Sequence, residues 1–285
     1  LKRRKTPHNH AIPWIVTQHL IADGRPTWQA QHNHHPPDAP PLAPTSLVIN
    51  LFRGRASANM MMVGATGSGR AGAVRLWLWR LLQTDIRAIV LHGPSPRRWQ
   101  DYCAFGEQVA VQGFTVTTRR ATEGMPIPLP HLFLNHFHDL TAVEHNGPTL
   151  LHAIAEERQR DPQPWQSPPW VVVLDGWDDD EMMPLAPMLR DLVTCCGQLN
   201  VHLWMTRHTV PWGCVDLHLC WSLATWRILF RLTKQDAQAL YQEGMLTDRE
   251  QAWVARQTPG ACLIERGGLV QAGMVCHSYQ NHSEI

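Results

Sequence analysis

Short, almost uninterrupted apolar runs recur along the chain. They are Leu47-Val48-Ile49, Met60-Met61-Met62-Val63, Ala88-Ile89-Val90-Leu91, Val171-Val172-Val173-Leu174, Val201-His202-Leu203-Trp204-Met205 and Ile228-Leu229-Phe230. Each is strand-length and lacks the alternation of a half-exposed strand, so a parallel sheet covered on both faces is expected. Between the runs the period lengthens. Val74, Trp77, Leu78, Leu81 and Leu82 share one helical face, with Arg75 and Arg80 off it. Leu185, Met188, Leu189, Leu192, Val193 and Cys196 repeat that spacing after Pro184 and Pro187, which suit a helix start. Thr247-Asp248-Arg249-Glu250 has the form of a capping box. Strands alternating with helices predict a doubly wound α/β domain over residues 46–280. Residues 1–45 read as an N-terminal arm or linker: Ile12 to Leu20 suits a strand, but His32 to Pro44 is dominated by His and Pro.

Composition adds mainly exclusions. With 285 residues the chain buries a substantial core, and 25 Lys and Arg against 24 Asp and Glu leave a formal charge of +1. That balance does not call for nucleic acid, and Lys2-Arg3-Arg4-Lys5 reads as a solvated tail. The seven Cys form no CxxC pair and no zinc-finger spacing, as expected of buried thiols in a reducing compartment. His32, His34 and His35, and His136-x-His138-Asp139, lack partners at zinc spacing. The 13 Trp are expected in the core, with base stacking as the alternative. No run reaches the roughly 18 to 20 apolar residues that span a bilayer, and no signal peptide is seen. A cytoplasmic location is the expectation.

One motif carries chemistry. Met60-Met61-Met62-Val63 leads into Gly64-Ala65-Thr66-Gly67-Ser68-Gly69-Arg70-Ala71, and an amphipathic helix follows. A strand, a glycine loop and a helix make an anion site: backbone N–H groups converge on phosphate oxygens and the helix dipole adds positive potential. The Gly64 to Gly69 spacing is that of a Walker A loop. Gly67-x-Gly69-x-x-Gly72 also fits a dinucleotide fingerprint, but the next strand ends Val90-Leu91-His92-Gly93 with no carboxylate for a ribose. Arg70 stands where the loop's Lys belongs, and Ala71 has no hydroxyl to ligate Mg²⁺. Trp170-Val171-Val172-Val173-Leu174-Asp175 reads as a Walker B strand, followed by Gly176 where a water-activating Glu often stands. Asp178, Asp179, Asp180 and Glu181 lie nearby and read as a solvated acidic turn.

These pieces, in this order, resemble the FtsK/SpoIIIE branch of the FtsK–HerA motor ATPases, which includes the type VII secretion ATPases EccC and EssC. Asn200-Val201-His202-Leu203-Trp204-Met205-Thr206-Arg207 is similar to the family's G-I-H-L-x-x-A-T-Q strand. Arg227 to Leu232 followed by Asp236 resembles its strand and D-S-R segment, and Pro259 to Val275 its closing hairpin. The resemblance implies a RecA-like P-loop sheet holding ATP or ADP, with Mg²⁺, at Gly64, Ala65, Thr66, Gly67, Ser68, Gly69, Arg70 and Ala71. Asp175 is then the Walker B carboxylate on the metal side, and Arg207 replaces the Gln that senses the γ-phosphate. Active relatives form hexameric rings that translocate DNA or move protein. The implied partners are therefore other ATPase domains or subunits of one assembly, with duplex DNA or a secreted protein as cargo, at the membrane's cytoplasmic face. The substitutions at Arg70, Ala71, Gly176 and Arg207 imply a pseudo-ATPase that acts as scaffold or regulator. The alternative is an ATP-dependent DNA motor in which Arg70 does the work of Lys and Asp178 that of the missing base.

Overall fold

The computed structural model describes residues 11–18, 45–50, 58–82, 87–93, 96–111, 116–121, 135–140, 143–164, 167, 169–177, 179–266 and 269–274. The elements are β1 (Ala11–Gln18), β2 (Thr45–Asn50), β3 (Met60–Val63), α1 (Arg70–Leu82), β4 (Arg87–His92), α2 (Pro96–Val111), β5 (Val116–Ala121), β6 (Asn135–Leu140) and α3 (Val143–Arg160). They continue with β7 (Trp170–Asp175), α4 (Asp179–Met182), a 3-10 turn at Met183–Leu185, α5 (Ala186–Leu199), β8 (Val201–Arg207), α6 (Val215–Leu223) and β9 (Trp226–Leu229). The last are α7 (Lys234–Gln242), α8 (Asp248–Val254), β10 (Ala261–Arg266) and β11 (Leu269–Met274).

Among the described residues the strands form one 11-stranded sheet in the order β2-β1-β11-β10-β9-β3-β8-β7-β4-β6-β5. From β9 to β5 every neighbouring pair is parallel. From β9 outward through β10, β11, β1 and β2 the pairing is antiparallel. The apolar runs split by parity across this sheet. Met61, Val63, Ile89, Leu91, Val172, Leu174, Leu203 and Met205 face one core with α3, α5 and α6. Met60, Met62, Ala88, Val90, Val171, Val173 and Trp204 face the other with α1 and α2. Val74, Trp77 and Leu78 pack α1 onto that second face, and Trp77 meets Trp204 edge-on at 6.5 Å. Leu81, Leu82 and Arg80 have side chains outside the described residues. Pro187 opens α5, and Asn200, at φ 52°, ends it in the left-handed conformation that Asn tolerates. The Thr247–Glu250 capping box is present.

One expectation about the N-terminal part changes. Leu47-Val48-Ile49 lies in β2, which pairs antiparallel with β1 rather than joining the parallel set. The strand expected near Ile12 to Leu20 is present as β1, beside β11. Pro13 lacks a ladder N–H, and the β1–β2 register shifts between Pro13 and Ile15.

The candidate metal histidines His32, His34 and His35 lie outside the described residues, as do the side chains of His136, His138 and Asp139. Among the described residues, no three His, Cys, Asp or Glu side chains are grouped to hold a metal ion. No described helix is long and apolar enough to cross a membrane. Cys103, Cys195, Cys196, Cys214, Cys220 and Cys262 form no disulfide among the described residues. Burial pushes the Cys220 thiol up to about 12 and raises that of Cys262 as well. Trp170, Trp177, Trp204, Trp221 and Trp226 are core residues, while Trp212 is exposed.

Candidate functional site

The connection after β3 turns to the α1 face, whereas the one after β8 turns to the α6 face. Adjacent strands whose connections diverge leave a crevice at their carboxyl ends, the usual ligand position of an open α/β sheet. The glycine loop occupies that crevice. Its entry is fastened to both neighbouring strands: Gly64 N donates to Arg207 O at 3.1 Å and Ala65 N to Arg231 O at 2.8 Å. Ser68 N closes the turn onto Ala65 O at 3.1 Å, and Ala73 N reaches Gly69 O at 3.0 Å as α1 begins. The amides of Gly64, Ala65 and Ser68 are thus engaged within the protein. Thr66 and Gly67 lie exposed at the apex, and Gly69, Arg70 and Ala71 lead into the first turn of α1, the kind of helix start that can hold an anion.

The glycines are required for specific reasons. Gly67 and Gly69 have φ of 74° and 93°, a region that L side chains avoid. A Cβ on Gly69 would also stand 2.4 Å from Gly260 N, and one on Gly64 would stand 2.6 Å from Phe230 Cβ. Gly260 N in turn donates to Ser68 O at 2.9 Å, so the segment leading into β10 packs against the outside of the loop.

The side chains around this backbone are turned into the protein. Arg70 is 5% exposed; its Nη1 donates to Gly64 O at 2.6 Å and to Arg207 O. Its Nη2 lies 3.3 Å from both ring nitrogens of His208. The guanidinium therefore braces the carbonyl side of the loop. Ala71 contributes no polar side-chain atom. Asp175, 2% exposed, accepts from Tyr102 Oη at 2.8 Å and from Thr206 Oγ1 at 2.6 Å. Thr206 Oγ1 itself accepts from Gly176 N at 2.9 Å. Tyr102 stacks on His92 at 5.4 Å, and His92 Nδ1 is 3.0 Å from Gly93 O. Gly176 has φ of 74°, and its carbonyl lies 2.4 Å from where a Cβ on Gly93 would be. The position where a catalytic Glu often stands is thus a backbone conformation suited to glycine.

Arg207 stands at the expected sensor position. Its side chain shares the strand parity of Leu203 and Met205, on the face opposite α1, where Nη1 meets Met182 Sδ at 3.0 Å. The ninth position of the strand pattern counted from Asn200 is His208, and its ring is the one beside Arg70. Asp178 lies outside the described residues. Mg²⁺ fits this donor set poorly: the loop offers no hydroxyl after Arg70, and each oxygen of Asp175 already accepts from one hydroxyl.

Sequence reading missed Arg231. It follows β9, its Nη2 donates to Thr66 O at 3.2 Å, and the same atom is 3.7 Å from where a Cβ on Gly67 would stand. A cation at the loop's apex is visible only once β9 is known to lie beside β3. Tyr102 was missed too, being 73 positions from the carboxylate it binds.

A strand, glycine loop and helix at the switch point of a parallel sheet define a P-loop fold. The described architecture is a RecA-like P-loop sheet, a likeness in fold found in solved structures. VirB4 of Thermoanaerobacter pseudethanolicus is similar with a TM-score of 0.57 and 11% identity, over 81% of this chain and 93% of that one. Thermomonospora curvata EccC (ATPases 2 and 3), solved with a signal sequence peptide, is similar with a TM-score of 0.52 and 13% identity, over 82% of this chain but 39% of that one. The genome packaging NTPase B204 of Sulfolobus turreted icosahedral virus 2, in complex with ATP-gammaS, gives 0.51 and 10% over 76% of this chain and 97% of that one. No protein-family model and no curated protein sequence matches the chain.

Proposed function

We propose that the chain is a nucleotide-binding module without efficient hydrolysis, a pseudo-ATPase that serves as scaffold or regulator in a secretion or translocation assembly. One contrast carries this reading. The glycine loop keeps the backbone shape of an anion cup, while the side chains at hydrolytic positions are absent or committed to protein contacts. Arg70 holds the Gly64 and Arg207 carbonyls, Ala71 has no hydroxyl, Gly176 has no carboxylate, and Asp175 is held by Tyr102 and Thr206. A missing general base alone costs about 10²–10⁴ in rate. The ligand is ATP or ADP, its phosphates held by the amides of Thr66, Gly67, Gly69, Arg70 and Ala71.

The place in an assembly is supported by the company the fold keeps, since VirB4 and EccC share its shape. The EccC structure holds two ATPases, and this chain matches 39% of it, which fits a partner that is a second ATPase domain. The test pairs binding with turnover. Adenine nucleotide should raise the melting temperature in a concentration-dependent way, with turnover below ~1 s⁻¹, the low end of ordinary enzyme rates. Faster turnover that Arg70→Ala abolishes would overturn the reading. Duplex DNA binding that weakens steeply with salt would favour the motor alternative instead.

A further inference from the structure

Building on the nucleotide-binding reading, we propose that the glycine loop takes its nucleotide as a metal-free anion, with Arg231 supplying the charge that Mg²⁺ supplies in working P-loops. Mg²⁺ in such a loop rests on the hydroxyl that follows the loop's cation and on the strand-end carboxylate. The first is missing at Ala71. The second is spoken for: Asp175 accepts from Tyr102 Oη at 2.8 Å and Thr206 Oγ1 at 2.6 Å. Turning Asp175 toward a cation would strand the hydroxyl of Tyr102, a residue 1% exposed, at about 1–3 kcal/mol for a buried donor without a partner. Mg²⁺ also demands near-octahedral oxygen ligands, and with Ala71 in place of a hydroxyl this loop offers one fewer.

A polyphosphate still needs positive charge. Arg70 is held beneath the loop by the Gly64 and Arg207 carbonyls. Arg231 stands at the rim instead, its Nη2 against Thr66 O at 3.2 Å, and its own carbonyl accepts from Ala65 N at 2.8 Å. Strand β9 therefore fixes a guanidinium beside the exposed apex, and its planar fork suits phosphate oxygens.

The experiment is calorimetric titration of the full chain with ATP in excess Mg²⁺ and again in EDTA. The two dissociation constants should agree within about twofold, and Arg231→Ala should weaken both by about tenfold, or ~1.4 kcal/mol. Arg231→Lys should recover part of the loss. Ala71→Ser alone should leave the ratio flat, while Ala71→Ser with Tyr102→Phe should make Mg²⁺ tighten binding. Tightening by Mg²⁺ of about tenfold or more in the unaltered chain, or an Arg231→Ala chain that binds as before, overturns the metal-free assignment but leaves nucleotide binding standing. No binding in either buffer removes the nucleotide-binding reading itself, and this inference with it.

Discussion

The two ends of the central strands are built alike, although only one lies where ligands bind. At the amino ends, Asn59 Oδ1 accepts from Leu203 N at 2.8 Å and its Nδ2 reaches Cys196 Sγ at 3.1 Å. His202 Nδ1 accepts from Ala58 N at 3.1 Å, which assigns the ring proton to Nε2 facing Asn200 Oδ1 at 3.2 Å. Arg158 Nε donates to Leu199 O at 2.8 Å, clasping the end of α5. This is structural polarity: buried groups, each with partners. At the carboxyl ends, Asp175, Thr206, Tyr102 and Arg70 are bonded in the same way, although the buried Ser68 Oγ of the loop has no hydrogen-bond partner among the described residues. Position at a switch point makes a residue available for chemistry. Its partners decide whether it is used there.

The largest predicted effect is acid sensitivity from the amino end. Burial, followed by the Arg158 charge, holds the His202 imidazole down to about 3 against the usual 6.5. Protonation would also set a second N–H against that of Ala58. The unfolded chain takes up this proton near 6.5 and the folded one does not until about 3. This contribution is therefore fully present above pH 6.5 and falls by ~1.4 kcal/mol per pH unit below it. Urea unfolding at a series of pH values measures that slope, and His202→Asn should remove it.

A matched pair comes next. Asn59→Ala strips the Leu203 amide of its acceptor and should cost ~2–3 kcal/mol. If the carboxyl end is structural too, Tyr102→Phe should cost ~1.5–3 kcal/mol, the value of a hydrogen bond to a charged group. A neutral or stabilising Tyr102→Phe would break the likeness, because active sites commonly trade stability for function. Gly176→Glu is smaller: at φ of 74° the side chain should cost ~1–2 kcal/mol and restore no ATP turnover. Smallest of all, Arg231→Ala should shift unfolding by less than ~0.5 kcal/mol, since its role is at the rim.

Much of the fold was legible. Met60 to Val63 and Val171 to Leu174 read as two-sided strands because every position is apolar, and the parity of those positions fixes which core each enters. β5 and β6 were not read that way, because Val116-Thr117-Thr118-Arg119-Arg120-Ala121 and Asn135-His136-Phe137-His138-Asp139-Leu140 carry no such run. Glycine spacing located the loop, but the sequence is silent on where Arg70 points. Arg207 was readable in principle: alternation from Leu203 through Met205 puts it on the face opposite Thr206. Arg231 and Tyr102 owe their places to the parallel pairing of strands distant in sequence, which no local pattern records.

The most direct test of the account is a crystal structure of the chain grown with adenine nucleotide and Mg²⁺. The account predicts phosphates on the amides of Thr66, Gly67, Gly69, Arg70 and Ala71, Arg231 against them, and Arg70 still on the Gly64 and Arg207 carbonyls, with Asp175 held by Tyr102 and Thr206. A nucleotide whose phosphates are gripped by Arg70, with a metal ion drawn to Asp175, would contradict it.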